Sequence, residues 1–368
     1  MKKTIVVSAV NLKVGGTLTI LRECLTYLSA LAKKEEYRVV ALVHKKDIAY
    51  FDNIEYIELS WSKKNWINRI WCEYVTMKRI SKLLSPVYLW LSLHDTTPNV
   101  CAKKRVVYCH NSFPFYLWKW RDWLFNYKIV LFAWFSYYIY RINIYENDYV
   151  VLQQQWIRNE FIRMFHLSKD KIIVAPPQTM KFPFADTRNI SHKEVCFFFP
   201  SSPDVHKNFE TLCQASEWLE NEVGIGVFKT VITVNGKENK YAAWLKKKWG
   251  HVKSIYYVGF LDRDNLCRYY ESADCLIFSS KIETWGLPIS EFMQTDKPML
   301  LADLPYAHET SAGASRVAFF SATNAVALKN EMRYIVNGDY SRLKRVPKRK
   351  LEEPSAYSWD ELFNMILN

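Results

Sequence analysis

Short unbroken apolar runs alternate along the chain with stretches in which apolar residues recur every three or four positions. An unbroken run of four to eight marks a strand buried on both faces, and the wider spacing marks a helix with one apolar side. On that basis strands are expected at 4–10, 37–43, 54–59, 87–91, 105–109, 149–152 and 171–174. A helix follows Gly15-Gly16 through Leu18, Leu21, Leu25 and Leu28, and another is expected at 66–84. Pro176-Pro177 stops the pattern, and the residues to about 193 are polar and irregular. A second series then supplies strands at 195–199, 229–234, 254–258, 275–279, 298–301 and 317–319, with helices between them at 208–222 and 264–272 and a last helix at 359–367. Strands alternating with helices give parallel sheets. The expectation is an α/β chain of two Rossmann-like domains, 1–180 and 190–350, with a C-terminal helix at 355–368 packing back on the first. Ligands in such sheets bind outside the carboxyl ends of the strands, here in a cleft between the domains.

Composition changes this picture little. A chain of 368 residues is too long for one ordinary core, and 49% hydrophobic with 24% charged residues is a globular balance. Charge adds more: the net value is +13, and aromatic residues make up 16%. Nucleic acid, an anionic membrane surface or an anionic substrate would each suit that excess. The eight cysteines include no CxxC pair, which argues against a zinc site. Most sit in apolar runs, as buried thiols do, so a reduced cytoplasmic protein is expected. The first residues form a strand pattern and not a leader, and no apolar segment has the length to span a bilayer.

The candidate chemistry lies after the expected strand 275–279, in Lys281-Ile282-Glu283-Thr284-Trp285-Gly286-Leu287-Pro288-Ile289-Ser290-Glu291. Gly286 allows a tight turn, and Pro288 suits a helix's first turn. A helix beginning there aims free N–H groups at a phosphate. Glu291, one turn on, suits vicinal hydroxyls such as those of a ribose, and Glu283 precedes the turn, where a sugar would lie. The spacing itself says little, because Glu353 and Glu361 share it in a plain C-terminal segment.

The segment resembles the E-x7-E signature of family-4 glycosyltransferases, retaining enzymes of the GT-B fold, and within them a surface-polysaccharide mannosyl- and rhamnosyltransferase-like branch. The likeness extends through Tyr257-Val258-Gly259-Phe260-Leu261, Ala273-Asp274, Lys297-Pro298 and Ala302 to Glu309, so it covers nearly all of the second domain and only loosely the first. The resemblance implies a first domain on the acceptor side and a second that binds a nucleotide sugar. It implies that Glu283 contacts the transferred sugar, that Glu291 binds the ribose, and that Thr284, Trp285, Gly286 and Leu287 bracket the sugar and diphosphate. It also implies that Lys207 holds the diphosphate, that His110 faces the donor sugar, and that Gly15 and Gly16 let the first-domain loop approach it. Relatives place an arginine five residues before the lysine; this chain has Ser202 there.

The function expected is transfer of a hexose from a GDP- or UDP-sugar to a lipid-linked or saccharide acceptor in capsule or lipopolysaccharide biosynthesis. No second carboxylate is evident in the first-domain part of the site, which favours a front-face route over a covalent intermediate. No DxD pair stands at a strand end, so no metal and no cofactor are expected. Aromatic and basic residues mixed over 113–145 suit a helix at a bilayer interface or a core helix pair, and peripheral association with the inner face of the plasma membrane is expected. A sugar-nucleotide epimerase or hydrolase of the same architecture stays open at this point. So does a basic nucleic-acid-binding protein, although no nucleic-acid motif is present and no such partner is expected.

Overall fold

The computed structural model describes every residue except 1, 14, 180 and 183–193. The chain forms two compact units: Met1–Pro114 with Trp134–Gln178 and Leu351–Asn368, and Phe115–Ala133 with Thr179–Lys350.

The first unit holds seven parallel strands, β1 (Lys3–Ala9), β2 (Tyr37–Val43), β3 (Ile54–Glu58), β4 (Val87–Ser92), β5 (Lys104–Cys109), β6 (Tyr149–Leu152) and β7 (Ile172–Val174), in the order β3-β2-β1-β4-β5-β6-β7. Its unbroken apolar runs have a simple cause. Ile5, Val7 and Ala9 of β1 join the core under the helix Gly15–Ala32, while Val6 and Val10 join a second core under the helical run 66–83. Strand β2 divides the same way, Val39, Ala41 and Val43 against Val40 and Leu42. A strand covered on both faces leaves no position where a polar residue reaches water. The last helix, Trp359–Leu367, belongs to this unit; Ser358 caps it by accepting the Glu361 N–H at 3.1 Å. It buries Leu362, Phe363 and Ile366 and stacks Phe363 on Tyr27 with ring centres 5.0 Å apart, about 1.5–3 kcal/mol for each buried side chain.

The helix expected at 66–84 is two α-helices, Trp66–Trp71 and Met77–Leu83, joined by a π turn at Cys72–Thr76. The wide turn places Glu73 inside the unit, where it takes Arg69 and the Thr96 hydroxyl. His94, after β4, sits in the same cluster with its Nε2 3.0 Å from Ser8 Oγ and 3.2 Å from Ser92 Oγ. Burial holds its imidazole down at about 4. Because the unfolded imidazole titrates near 6.5, His94 adds stability that is present above that pH and is lost as pH falls toward 4. At pH 5.5 the loss is about 1.4 kcal/mol for such an imidazole. Thermal unfolding is expected to show a fall in Tm between pH 7.5 and 5.5 that shrinks in His94→Gln.

The second unit has six parallel strands, β8 (Val195–Phe199), β9 (Phe228–Ile232), β10 (Ile255–Tyr257), β11 (Cys275–Phe278), β12 (Met299–Ala302) and β13 (Val317–Phe320), in the order β10-β9-β8-β11-β12-β13. The helix Phe209–Val223 follows β8, and the short helix Leu287–Phe292 follows β11. A helix at Trp120–Arg141, broken at Asn126 (φ −153°, ψ 78°), carries residues of both units. All eight cysteines are free thiols, six of them buried.

Candidate active site

The Lys207 loop begins at the carboxyl end of β8. Ser201 N–H donates to Thr233 Oγ1, which donates back to the Ser201 carbonyl, both at 2.7 Å. Ser202 turns its hydroxyl onto Asp204 Oδ2, 2.7 Å away. A single 3-10 turn, Val205–Lys207, ends at Asn208 in the left-handed region (φ 61°). Asparagine tolerates that conformation better than most residues. Its amide donates to the Ser279 carbonyl at 3.0 Å and the Ala322 carbonyl at 2.7 Å, and Ser279 Oγ donates back to the Lys207 carbonyl at 3.2 Å. The Lys281 N–H closes on the His206 carbonyl at 2.7 Å. These bonds tie the end of β8 to the end of β11. They bring residues 76 apart in sequence into one ion pair, Lys207 Nζ to Glu283 Oε1 at 2.6 Å, with side chains only 16% and 12% exposed.

Beyond Glu283 the chain turns on Gly286, whose φ of +87° is strained for any residue with a side chain. A Cβ there would also stand 3.3 Å from Ile289 Cδ1. Pro288 occupies the first turn of Leu287–Phe292. Trp285 is fixed at both ends, its indole N–H donating to Ser290 Oγ at 3.2 Å and its carbonyl accepting from the Thr310 hydroxyl. Thr284, Trp285 and Leu287 are half-buried around this turn. Glu291 lies one turn in and is mostly enclosed, and burial raises its carboxyl above the usual range. The Tyr270 hydroxyl donates to its Oε2 at 2.7 Å and works in the opposite direction. Tyr270→Phe is therefore expected to raise that carboxyl further, a change that NMR titration of the glutamate carboxyls checks.

The other expected residues stand in the first unit. Gly15 takes φ +66° at the start of Gly15–Ala32, with Gly16 the next residue of that helix. His110 follows β5, edge-on to Tyr108 with ring centres 4.4 Å apart, and its Nδ1 lies 3.3 Å from the Gln153 amide. Burial pushes its imidazole down to about 3, so it is neutral at any ordinary pH. Its backbone N–H donates to Asp95 Oδ1 at 2.6 Å. The structure thus gathers Lys207, Glu283 to Leu287 and Glu291 in one unit, and Gly15, Gly16 and His110 in the other.

Sequence reasoning placed Tyr269-Tyr270 within the family likeness without giving Tyr270 a role, and it missed Asp95. Tyr270 is one of 23 tyrosines and acquires meaning only opposite Glu291. Asp95 stands in the left-handed region (φ 73°), and burial raises its carboxyl to about 6. Among the described residues no cluster of three His, Cys, Asp or Glu side chains is arranged to hold a metal, and no helix is long and apolar enough to cross a membrane.

Residues 184–350 match the family model described as Glycosyl transferases group 1. No curated protein matches the chain significantly. Among solved structures, the sucrose-phosphate synthase of Thermosynechococcus elongatus is similar at a TM-score of 0.65 and 16% identity, covering 93% of this chain and 92% of that one. WaaG, a glycosyltransferase involved in lipopolysaccharide biosynthesis, is similar at 0.65 and 12% identity, with 90% of each chain covered. The Anabaena protein Alr3699/HepE, solved in complex with UDP and glucose, is similar at 0.61 and 12% identity, covering 92% of this chain and 91% of that one. At these identities the likeness is one of fold, and that fold is GT-B: two Rossmann-like domains with parallel sheets of seven and six strands.

Proposed function

From that premise, a second unit matched by the glycosyl transferases group 1 model within a GT-B fold, we propose that the protein transfers a hexose from a nucleoside-diphosphate sugar to a saccharide or lipid-linked acceptor. The observation that carries this is the Lys207–Glu283 pair beside the Gly286 turn. Lys207 supplies a point charge for the diphosphate, and the N–H groups of the Gly286 turn supply donors for it. Glu283 takes sugar hydroxyls and Glu291 takes the ribose. Departure of the diphosphate is the charge-developing step, and fixed donors aimed at that charge lower its barrier.

In this reading the transfer retains the anomeric configuration and needs no metal. The leaving diphosphate accepts the acceptor's proton. A GDP- or UDP-hexose donor and a role in surface-polysaccharide synthesis follow the same proposal. Thermal-shift titration with UDP-, GDP-, ADP- and dTDP-sugars tests it, because a bound nucleotide raises Tm by mass action. A shift with none of them, or an equal shift in Lys207→Met, would sink the donor site.

We further propose that the enzyme works on the cytoplasmic face of a membrane. Trp66, Ile67, Ile70 and Trp71 are all more than half exposed on one short helix that follows Lys63 and Lys64. Trp134 and Tyr138 are likewise exposed on Trp120–Arg141. Aromatic side chains flanked by cations suit the headgroup layer of an anionic bilayer. Flotation with vesicles is expected to depend on anionic lipid and to weaken in the triple variant Trp66→Ser, Ile67→Ser, Trp71→Ser.

A further inference from the structure

A recess of about 520 Å³ opens in the second unit, walled by Lys119, Trp120 and Arg121 on one side and by Glu210, Thr211 and Lys281 on the other. Its charges are unbalanced. Glu210 Oε1 accepts from Arg121 Nη2 at 2.7 Å and from Lys281 Nζ at 3.0 Å, while Oε2 takes the buried Tyr241 hydroxyl. Glu210 thus carries two cations, and Lys119 adds a third to the lining. Asp122, on the same segment, is buried, its Oδ2 accepting from the Tyr116 hydroxyl at 2.8 Å and from the Lys119 N–H at 2.9 Å.

Each of the two cations on Glu210 is bonded to it, Arg121 with its side chain 38% exposed. The Arg121 guanidinium lies 5.3 Å from the centre of the Trp244 ring, and the Lys281 and Glu210 side chains are 16% and 12% exposed. A guanidinium carries five N–H donors, and the bond to Glu210 engages one nitrogen of the fork. Two cations kept side by side on one carboxylate repel each other, and an arriving anion relieves that repulsion. The indole of Trp120, 74% exposed, offers a flat apolar face beside them. A volume of this order accommodates a phosphorylated sugar and is large for a bare ion. Its position also matters: Lys281 is two residues before Glu283, and its N–H closes on the carbonyl preceding Lys207.

We propose that this recess is a subsite for an anionic saccharide on the acceptor side of the reaction, with a phosphate group between Arg121 and Lys281 and the sugar ring against Trp120. The assignment of the ligand as acceptor rests on the glycosyltransferase reading; the anion site itself does not. The subsite gives the basic segment around residue 120 a role distinct from membrane contact.

The test uses the full chain carrying Lys207→Met, which removes the diphosphate cation so that only the recess is read. Calorimetric titration with glucose 6-phosphate is expected to show binding about tenfold tighter than with glucose. Arg121→Gln and Lys281→Gln are each expected to remove most of that difference. Trp120→Ala, at an exposed position that leaves folding intact, is expected to weaken both sugars equally. In the parent chain, nucleoside diphosphate affinity stays unchanged in all three. Binding of the free sugar phosphate identifies a soluble acceptor. Retention only on phosphatidylcholine vesicles bearing a polyprenyl-diphosphate-linked glucose, lost in Arg121→Gln, identifies a lipid-borne one. Equal affinity for glucose and its phosphate, together with no such retention, overturns the subsite. Glucose 6-phosphate binding in a parent chain that binds no nucleoside diphosphate upholds the anion site and removes the transferase reading.

Discussion

Glu283→Gln is expected to lower sugar transfer on the order of 10²–10³-fold while tightening the binding of the nucleoside diphosphate alone. The two effects have one origin. Glu283 lies 2.6 Å from Lys207 Nζ and occupies the charge that the diphosphate of the proposed donor needs. Glutamine keeps the size and can still accept from a sugar hydroxyl, but it releases Lys207. The competing pair is mostly enclosed, so its loss is worth about 1 kcal/mol, or roughly fivefold in affinity. In the proposed mechanism the transfer rate falls because the carboxylate no longer holds the sugar against the departing diphosphate. Product-formation kinetics and calorimetry with UDP and GDP read the two effects separately. Transfer at more than a tenth of the parent rate, or unchanged diphosphate affinity, would remove Glu283 from the role assigned to it.

Lys207→Met is expected to move nucleotide binding the other way, weakening it about a hundredfold, the value of a charge-assisted hydrogen bond with little solvent around it. It also strands Glu283 in a half-buried position without its cation. A modest fall in Tm should therefore accompany the loss, and Glu283→Gln in the same chain should restore the Tm without restoring affinity. Lys207→Arg is not a neutral exchange, because a planar fork does not fill the place of a compact ammonium pinned between the ends of β8 and β11. Calorimetry and thermal unfolding on the three variants check these signs together.

The parts of the site that were legible in the sequence are those where local backbone chemistry limits the residue. Gly286 and Pro288 announced a turn opening a helix, and the structure places them so. The strand Val195–Phe199 begins and ends where its apolar run does, and Tyr37–Val43 carries its run from Val39 onward, since both faces of each run are covered. The helical pattern at 66–84 showed an amphipathic period but not the π turn at Cys72–Thr76, which depends on Glu73 finding Arg69 and Thr96 inside the unit. The aromatic segment showed no break at Asn126 and no division between two units, because its apolar residues lie all round the helix and no single face is marked.

By itself, the sequence determined two series of parallel strands, the turn at Gly286 and the residue types of the proposed phosphate site. Each of these follows from interactions between near neighbours in the chain: side-chain alternation, left-handed glycine geometry and proline's fixed φ. The tertiary structure alone decided that Lys207 meets Glu283, that Tyr270 holds Glu291, that Asp95 takes the His110 N–H, and that Arg121 and Lys281 share Glu210. Each of those pairs joins different elements across 15 to 89 residues, and only packing brings them within hydrogen-bond reach. Glu353 and Glu361 have the same spacing as the pair at 283 and 291, and among the described residues no lysine is paired with either, as Lys207 is with Glu283.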